Sequence, residues 1–507
     1  MTTTTADQPA LALTSSRRLL VLLTVVISSA AYNAATFTAT AILPQMQGAM
    51  AATQDEISWT VTFNILATAV FTPMSGWLVG RYTRSVVMVC SLALFSMATL
   101  MCGLAQSLES LVLWRALQGA FGAPLLPLGQ TILLDVYPRD RHGSVISIFG
   151  VANTLGPIIG PTLAGYLAEY SSWRWGYYMI VPVSLAACIA ARFTLPREEK
   201  PTAAGLDWIG FLSLSIAIAS TQLVLSRGQR LDWFESTEIR IETLIAVIAF
   251  YLFIAHSVTA KTPFLSPRLV LDRNYAIGIF LIVIFGMLNF TPMVLLPPLL
   301  QNQLGYPDGL IGFVVSWRGI GVMSGFFAAF LTTRLDPRIG MIAGFGMQII
   351  SGLWLMHIDF NMPLWAICTN AWLQGLAVGL IWTPIATSAF WTLDPALRPQ
   401  GIAVFHLMRS IGTSFFISVS VAEVVRTTGA NYSRLTELVT PFNKLLQVPS
   451  VMGQWNLDSL AGLAALSKEI NRQSALIGYT NAFWMYAVVS MIAIPLVFMT
   501  GKRRTGT

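Results

Sequence analysis

Apolar runs of about twenty residues, parted by short polar breaks, recur from residue 19 to residue 500. That is the length a helix needs to cross a hydrocarbon layer about 30 Å thick. Measured this way the chain predicts fourteen spanning helices. Six lie near 19–43, 55–78, 85–105, 110–134, 143–168 and 176–195, and two near 206–226 and 238–258. Six more lie near 275–300, 308–332, 339–358, 362–388, 399–424 and 479–500. Gly and Pro inside the runs blur their edges without breaking them, because membrane helices tolerate both. The one extensive polar interval is 425–478. Within it LDSLAGLAALSKEINRQ (457–473) has the spacing of an amphipathic helix, so a small helical excursion is expected there, as a cap over the outer mouth or a docking surface.

Composition agrees with a chain whose main solvent is the lipid bilayer: 55% of its 507 residues are hydrophobic and only 10% charged. The formal charge of +7 does not signal nucleic acid, since Lys and Arg sit singly or in pairs between apolar runs and form no basic stripe. They report topology instead. Arg17, Arg18, Arg81, Arg84, Arg139, Arg141, Arg192, Arg197, Lys200, Lys261, Arg268, Arg273, Arg334, Arg338, Arg398, Lys502, Arg503 and Arg504 fall on one side, which the positive-inside rule makes cytoplasmic. Both termini are then expected in the cytoplasm of a bacterial inner-membrane protein. The chain divides into a cytoplasmic tail (1–18), a six-helix bundle (19–200), two inserted spans (201–262) and a second six-helix bundle (263–507) carrying a long periplasmic loop at about 425–478. Residues 1–16 are polar, and no small-residue cleavage site follows Arg17-Arg18, so the first span reads as retained.

Enzymatic chemistry has little to stand on. Cys90, Cys102, Cys188 and Cys368 lie inside apolar runs without paired spacing, and His142, His256, His357 and His406 form no metal-ligand pattern. No GxxxxGK[ST] string offers direct use of ATP. The expectation is a gradient-driven transporter without a cofactor, its energy source a proton gradient.

The most specific string is GPIIGPTLAG (156–165) in the fifth span, preceded by Gly150. Gly156, Gly160 and Gly165 clear a helix surface for close approach of a neighbour, while Pro157 and Pro161 remove backbone donors. Spacing alone leaves a hinge between rocking bundles and ordinary helix packing equally open. The string resembles the antiporter motif of the major facilitator superfamily. Others agree in order: GWLVGRYTR (76–84), with Gly76, Arg81 and Arg84, is similar to the loop between spans two and three, and WRALQGAFGAPLLPL (114–128) to the Arg-x-x-Gln-Gly motif of span four. LTTRLDPR (331–338) looks like a weaker copy of the first loop. ISWTVTFNILATAV (57–70), DWIGFLSLSIAIASTQLVLSRGQRLDWF (207–234), PFLSPRLVLDRNY (263–275) and NAFWMYAVV (481–489) resemble the fourteen-span EmrB/QacA type of drug:proton antiporter, over nearly the whole chain.

The resemblance implies an all-α major facilitator fold, two six-helix bundles with two extra helices between them. It implies export of small amphiphilic substrates by alternating access, in exchange for protons. It also implies partners, a membrane-fusion adaptor and an outer-membrane channel in a tripartite pump, engaged through the loop at 425–478. Uptake of an organic anion or metabolite with protons is the alternative, and a non-transporting membrane sensor a remote third.

Two acids of the pattern are missing: Gly80 replaces the Asp of the first loop, and Ala35 stands where the first span carries a carboxylate, with Tyr32 and Asn33 nearby. Within the spans the cations are Arg115, next to Gln118, Arg318 and Arg409, with His406 three residues before Arg409 on one helical face. An ionisable group at that depth is costly and marks a pathway by default. Without central carboxylates these arginines leave a positive route, expected to favour anionic or neutral amphiphiles over dications. The competing readings are cations that snorkel to water and, for His406, a packing histidine.

Overall fold

The computed structural model describes residues 14–138, 141–196, 205–331, 336–440, 442–444, 448, 455 and 459–501. Arg139, Arg197, Lys200, Arg334 and Lys502 to Arg504, with half of the 331–338 string, lie outside them. Regular structure among the described residues is helical throughout. The first group comprises α1 (Ser15–Ala41), α2 (Leu43–Ala49), α3 (Gln54–Phe71), α4 (Met74–Arg81), α5 (Arg84–Leu104), α6 (Leu108–Gly122), α7 (Leu125–Val136), α8 (His142–Tyr170), α9 (Trp175–Tyr178) and α10 (Ile180–Thr194). Then come α11 (Trp208–Arg227), α12 (Thr237–Thr259) and α13 (Arg268–Leu271). The last group is α14 (Arg273–Pro298), α15 (Asp308–Leu331), α16 (Pro337–Met356), α17 (Leu364–Ser388), α18 (Arg398–Thr436) and α19 (Leu460–Met499).

Among the described residues thirteen helices, α6 and α7 taken together as one, are long and apolar enough to cross a membrane, and α3 with α4 makes the fourteenth as a pair bent by 50°. The bend has a local cause: Pro73, between them, has no N–H to continue the ladder. Helix starts are fixed by side-chain caps. Thr53 and Glu56 form a reciprocal capping box, and Thr83, Ser107, Asp272 and Asp336 each accept from the backbone of the first turn.

The interval after residue 425 departs from expectation. It contains no separate helical excursion among the described residues: α18 and α19, of 39 and 40 residues, simply continue past the length of a span. At 1.5 Å per residue each is about 60 Å long, twice the hydrocarbon thickness. Polar residues of 425–436 and 460–478 therefore belong to helical extensions, and the described part of the amphipathic stretch is the first turns of α19; Leu457 and Asp458 are not described.

Each half has an apolar core, and that of the second half takes in Leu134 and Ile146 of the first across the boundary. Val21, Leu92, Phe95, Leu133 and Phe149 are at the heart of one, while Tyr275, Phe285, Phe345, Trp382 and Phe405 centre the other. Between them α12 is nearly bare, burying Ile239, Ala249 and Ser257, and leans on α11. Asp207 pins this insertion. Its carboxylate accepts from Gly210 N (3.0 Å), His256 Nε2 (2.8 Å) and Phe264 N (2.9 Å). Burial opposes its ionisation, but these donors outweigh burial and hold the carboxyl below the usual carboxylate range.

The tightest crossing joins α15 to α17. GVMSG (321–325) faces GLAVG (375–379): a Cβ on Gly379 would stand 2.3 Å from the Gly325 carbonyl carbon, and one on Gly375 2.2 Å from the Arg318 oxygen. Backbone meets backbone, so nothing can yield. Gly379→Leu is expected to cost about 3 kcal/mol. The measurement is size-exclusion profile and melting temperature of the purified chain; an unchanged melting temperature would refute the crossing.

Candidate functional site

The two groups of helices meet along a seam, and its strongest contacts gather where α1 begins, here termed the near end. His406 Nε2 on α18 donates to Gln130 Oε1 on α7 at 2.8 Å, with the imidazole packed between Trp382 and Phe405. Ser147 on α8 and Thr383 on α17 share a hydrogen bond of 3.0 Å. Gly150 lies against Phe326 and Trp382, and Gly76 against Gln400. Deeper in, Phe37 stacks on Phe290 with ring centroids 5.2 Å apart. Among the described residues these two hydrogen bonds bridge the halves at the near end, with Leu134 and Ile146 packed into the core of the second half and the charge of Arg398 felt by Asp135 across the seam.

Identical in type, the three intramembrane arginines take different places. Arg115 is fully buried inside the first group. Its Nε donates to Thr60 O (3.2 Å), Nη1 to Ala35 O (3.2 Å) and Gln118 Oε1 (2.5 Å), and Nη2 to Thr36 O (3.3 Å); Gln118 in turn donates to Thr99 Oγ1. This guanidinium is a staple across α1, α3 and α6. Arg318 is internal to the second group, Nη2 donating to the carbonyl and the side-chain oxygen of Asn289. Only Arg409 stands on the seam, partly exposed, its Cζ 5.9 Å from the Phe290 ring centroid. Among the described residues none of the three meets a carboxylate.

Tyr32 donates to Thr68 Oγ1 at 3.2 Å and packs on Phe95 and Gly122, inside the first group. Asn33 donates to Ser29 O and to Asn153 Oδ1 of α8 (3.1 Å), fastening α1 to α8. Gly156 and Gly160 serve the same junction, their missing side chains leaving room for the Ala30 and Ala34 backbone. Gly165 does not: nothing lies within 4 Å of its Cβ position. Nine residues at 100° per residue turn it to the opposite face from Gly156, so only the i, i+4 pair can share a contact. Gly150, on a third face, meets the other half of the molecule. Helix α8 runs unbroken through Pro157 and Pro161.

The Major Facilitator Superfamily model matches residues 23–417. The chain belongs to that superfamily. It is 29% identical over 469 residues to the multidrug export protein EmrB of Escherichia coli K12, 91% of each chain. It is 26% identical to the EmrB of Haemophilus influenzae, over 92% of each. The fold is also similar to that of the proton:xylose symporter XylE, at a TM-score of 0.64 with 12% identity over 97% of both chains.

Within this superfamily's frame the departures have a physical account. At Ala35, where the pattern has an acid, the guanidinium of Arg115 takes main-chain carbonyls instead. Arg84, expected as a simple anchor, forms an ion pair of 2.6 Å with Asp135 on α7. Arg81 is exposed, and Gly80 has nothing near its Cβ position. Tyr32, Phe290 and Trp382 are buried, whereas Trp317 is exposed. Sequence reasoning missed Gln130, Ser147, Thr383 and Asn153, since an isolated polar residue in an apolar run carries no mark of what it faces. The paired GxxxG strings of α15 and α17 were a usable signal.

Proposed function

We propose that the chain is a multidrug exporter of a bacterial inner membrane, moving small amphiphilic molecules outward by alternating access in exchange for protons. Both termini and the near end then face the cytoplasm. The reading is carried by likeness to the EmrB export proteins over 91% of the chain. The geometry supports it: most of each half's core lies within that half, so the halves can rock about the α8 seam while Gln130–His406, Ser147–Thr383 and the apolar contacts of Leu134 and Ile146 break and re-form. Arg409, on the seam beside Phe37 and Phe290, is the group a passing substrate meets, and its unopposed charge favours anionic or neutral amphiphiles over dications.

The test is accumulation of a weakly acidic amphiphilic dye in a strain lacking its own exporters. Expression is expected to lower accumulation, a proton uncoupler to restore it, and Arg409→Ala to cut export at least tenfold at equal protein in the membrane. Raised accumulation would turn the reading to uptake, and indifference to the uncoupler would remove the proton.

We further propose that the extended ends of α18 and α19 engage a membrane-fusion adaptor and, through it, an outer-membrane channel. Their reach beyond a span supports this. Co-purification of an adaptor is expected to be lost on deleting residues 430–475; adaptor retained by the deleted chain would contradict it.

A further inference from the structure

Exchange of a substrate for protons needs a group that gains and loses a proton as the near end opens and closes. Ala35 leaves the first span without a carboxylate for that task. Of the four histidines, His142 and His256 stand in end turns of α8 and α12 and His357 follows α16; His406 is the one inside a span and on the seam. It is 3% exposed. Its Nε2 donates across the seam to Gln130 Oε1, so Nδ1 carries the lone pair of a neutral ring, and that lone pair meets no donor among the described residues. Beside it Gln130 Nε2 and Trp382 Nε1 likewise donate to nothing. Three polar groups thus gather, unpaired, at the junction that has to come apart.

A proton on Nδ1 would place a charge where no acceptor waits and where Arg409, on the next turn of α18, is already positive. Among the described residues, the helices packed on α18 bring no unpaired anion to meet it. On α7 Asp135 is held by Arg84, and at the start of α11 Asp207 is held by His256. Tyr32 of α1, Tyr275 of α14 and Tyr486 of α19 spend their hydroxyls on Thr68, Gly401 and Gln348. Helix α17 brings Trp382, and α4 brings Arg81, which is exposed. A stronger bond to Gln130 does not offset the burial of a charge, whereas in an opened near end water would surround it. The neutral ring therefore favours the sealed near end and the protonated ring the open one. We infer that His406 couples the proton to the near end: gain of a proton on Nδ1 with the near end sealed opens it, and loss of that proton to cytoplasmic water lets it reseal. That direction is the one export in exchange for protons requires and rests on the exporter reading; the link between protonation and opening does not.

The experiment is double electron–electron resonance on the full chain in nanodiscs, from about pH 8 to about pH 5. Spin labels go on two exposed near-end positions, Arg141→Cys at the start of α8 and Ile339→Cys on α16, with Cys90→Ser. Acidification is expected to raise the long-distance population at least threefold in this background. His406→Gln, neutral at every pH and still able to meet Gln130, is expected to show no rise. Asp135→Asn removes the other titratable group at the seam and should keep the response. His406→Lys, charged throughout, should be open at every pH, and it carries the test should His406→Gln fail to fold. A response absent from the background, kept in His406→Gln or lost in Asp135→Asn would overturn the assignment, as would a His406→Lys chain that stays sealed. The distances are read without transport, so export that ignores an uncoupler while the response stands would fell the proton-exchange reading instead.

Discussion

Arg115→Ala is expected to cost the protein its fold before its transport can be measured. The side chain is fully buried and donates to carbonyls on α1 and α3 and to the Gln118 side chain. Truncation removes these charge-assisted bonds, leaves a cavity at the junction of three helices and strands the Gln118 oxygen. Together these are worth about 4 kcal/mol. Arg115→Lys would recover only part, since an ammonium cannot span three helices as the planar fork does. Thermal unfolding of the purified variants is the measurement, with the order wild type, Lys, Ala. An Arg115→Ala chain that melts with wild type and fails only in export would show that the residue works in the pathway instead. Arg409→Ala serves as the counterpart: its Nε donates to nothing and its Cζ rests near the Phe290 ring, so its melting temperature should stay within a few degrees while export falls.

That contrast shows where sequence reading reaches its limit. Fourteen spans were legible because hydrocarbon demands runs of fixed length, and the bend at Pro73 and the packing of Gly156 and Gly160 follow from local chemistry. Arg115, Arg318 and Arg409 were equally legible as intramembrane cations, yet their roles differ by what stands opposite, and those partners come from distant parts of the chain. Gln130 and His406 are 276 residues apart; no periodicity links them. The extensions of α18 and α19 were hidden for the opposite reason. Past the membrane a helix may be polar, so the hydropathy signal ends where the helix does not. At Gly165 the string matched the motif, but the helical period sent the residue to an empty face.

The central claim is that transport requires the near end to open at the seam. Ser147 and Thr383 touch across it with side-chain oxygens 3.0 Å apart, one on each half of the molecule. Both are buried, but cysteine is close to serine and threonine in volume, so paired cysteines there should be tolerated. A disulfide between them ties α8 to α17 at one point and leaves each bundle as it was. The reference chain has Cys90, the exposed native cysteine, replaced by Ser; Cys102, Cys188 and Cys368 are buried. The decisive measurement is dye export by this Ser147→Cys, Thr383→Cys variant in energised membrane vesicles, before and after a mild oxidant and then a reductant. The account predicts rapid cross-linking, loss of at least nine-tenths of export and recovery on reduction. Full export by quantitatively cross-linked protein would contradict it.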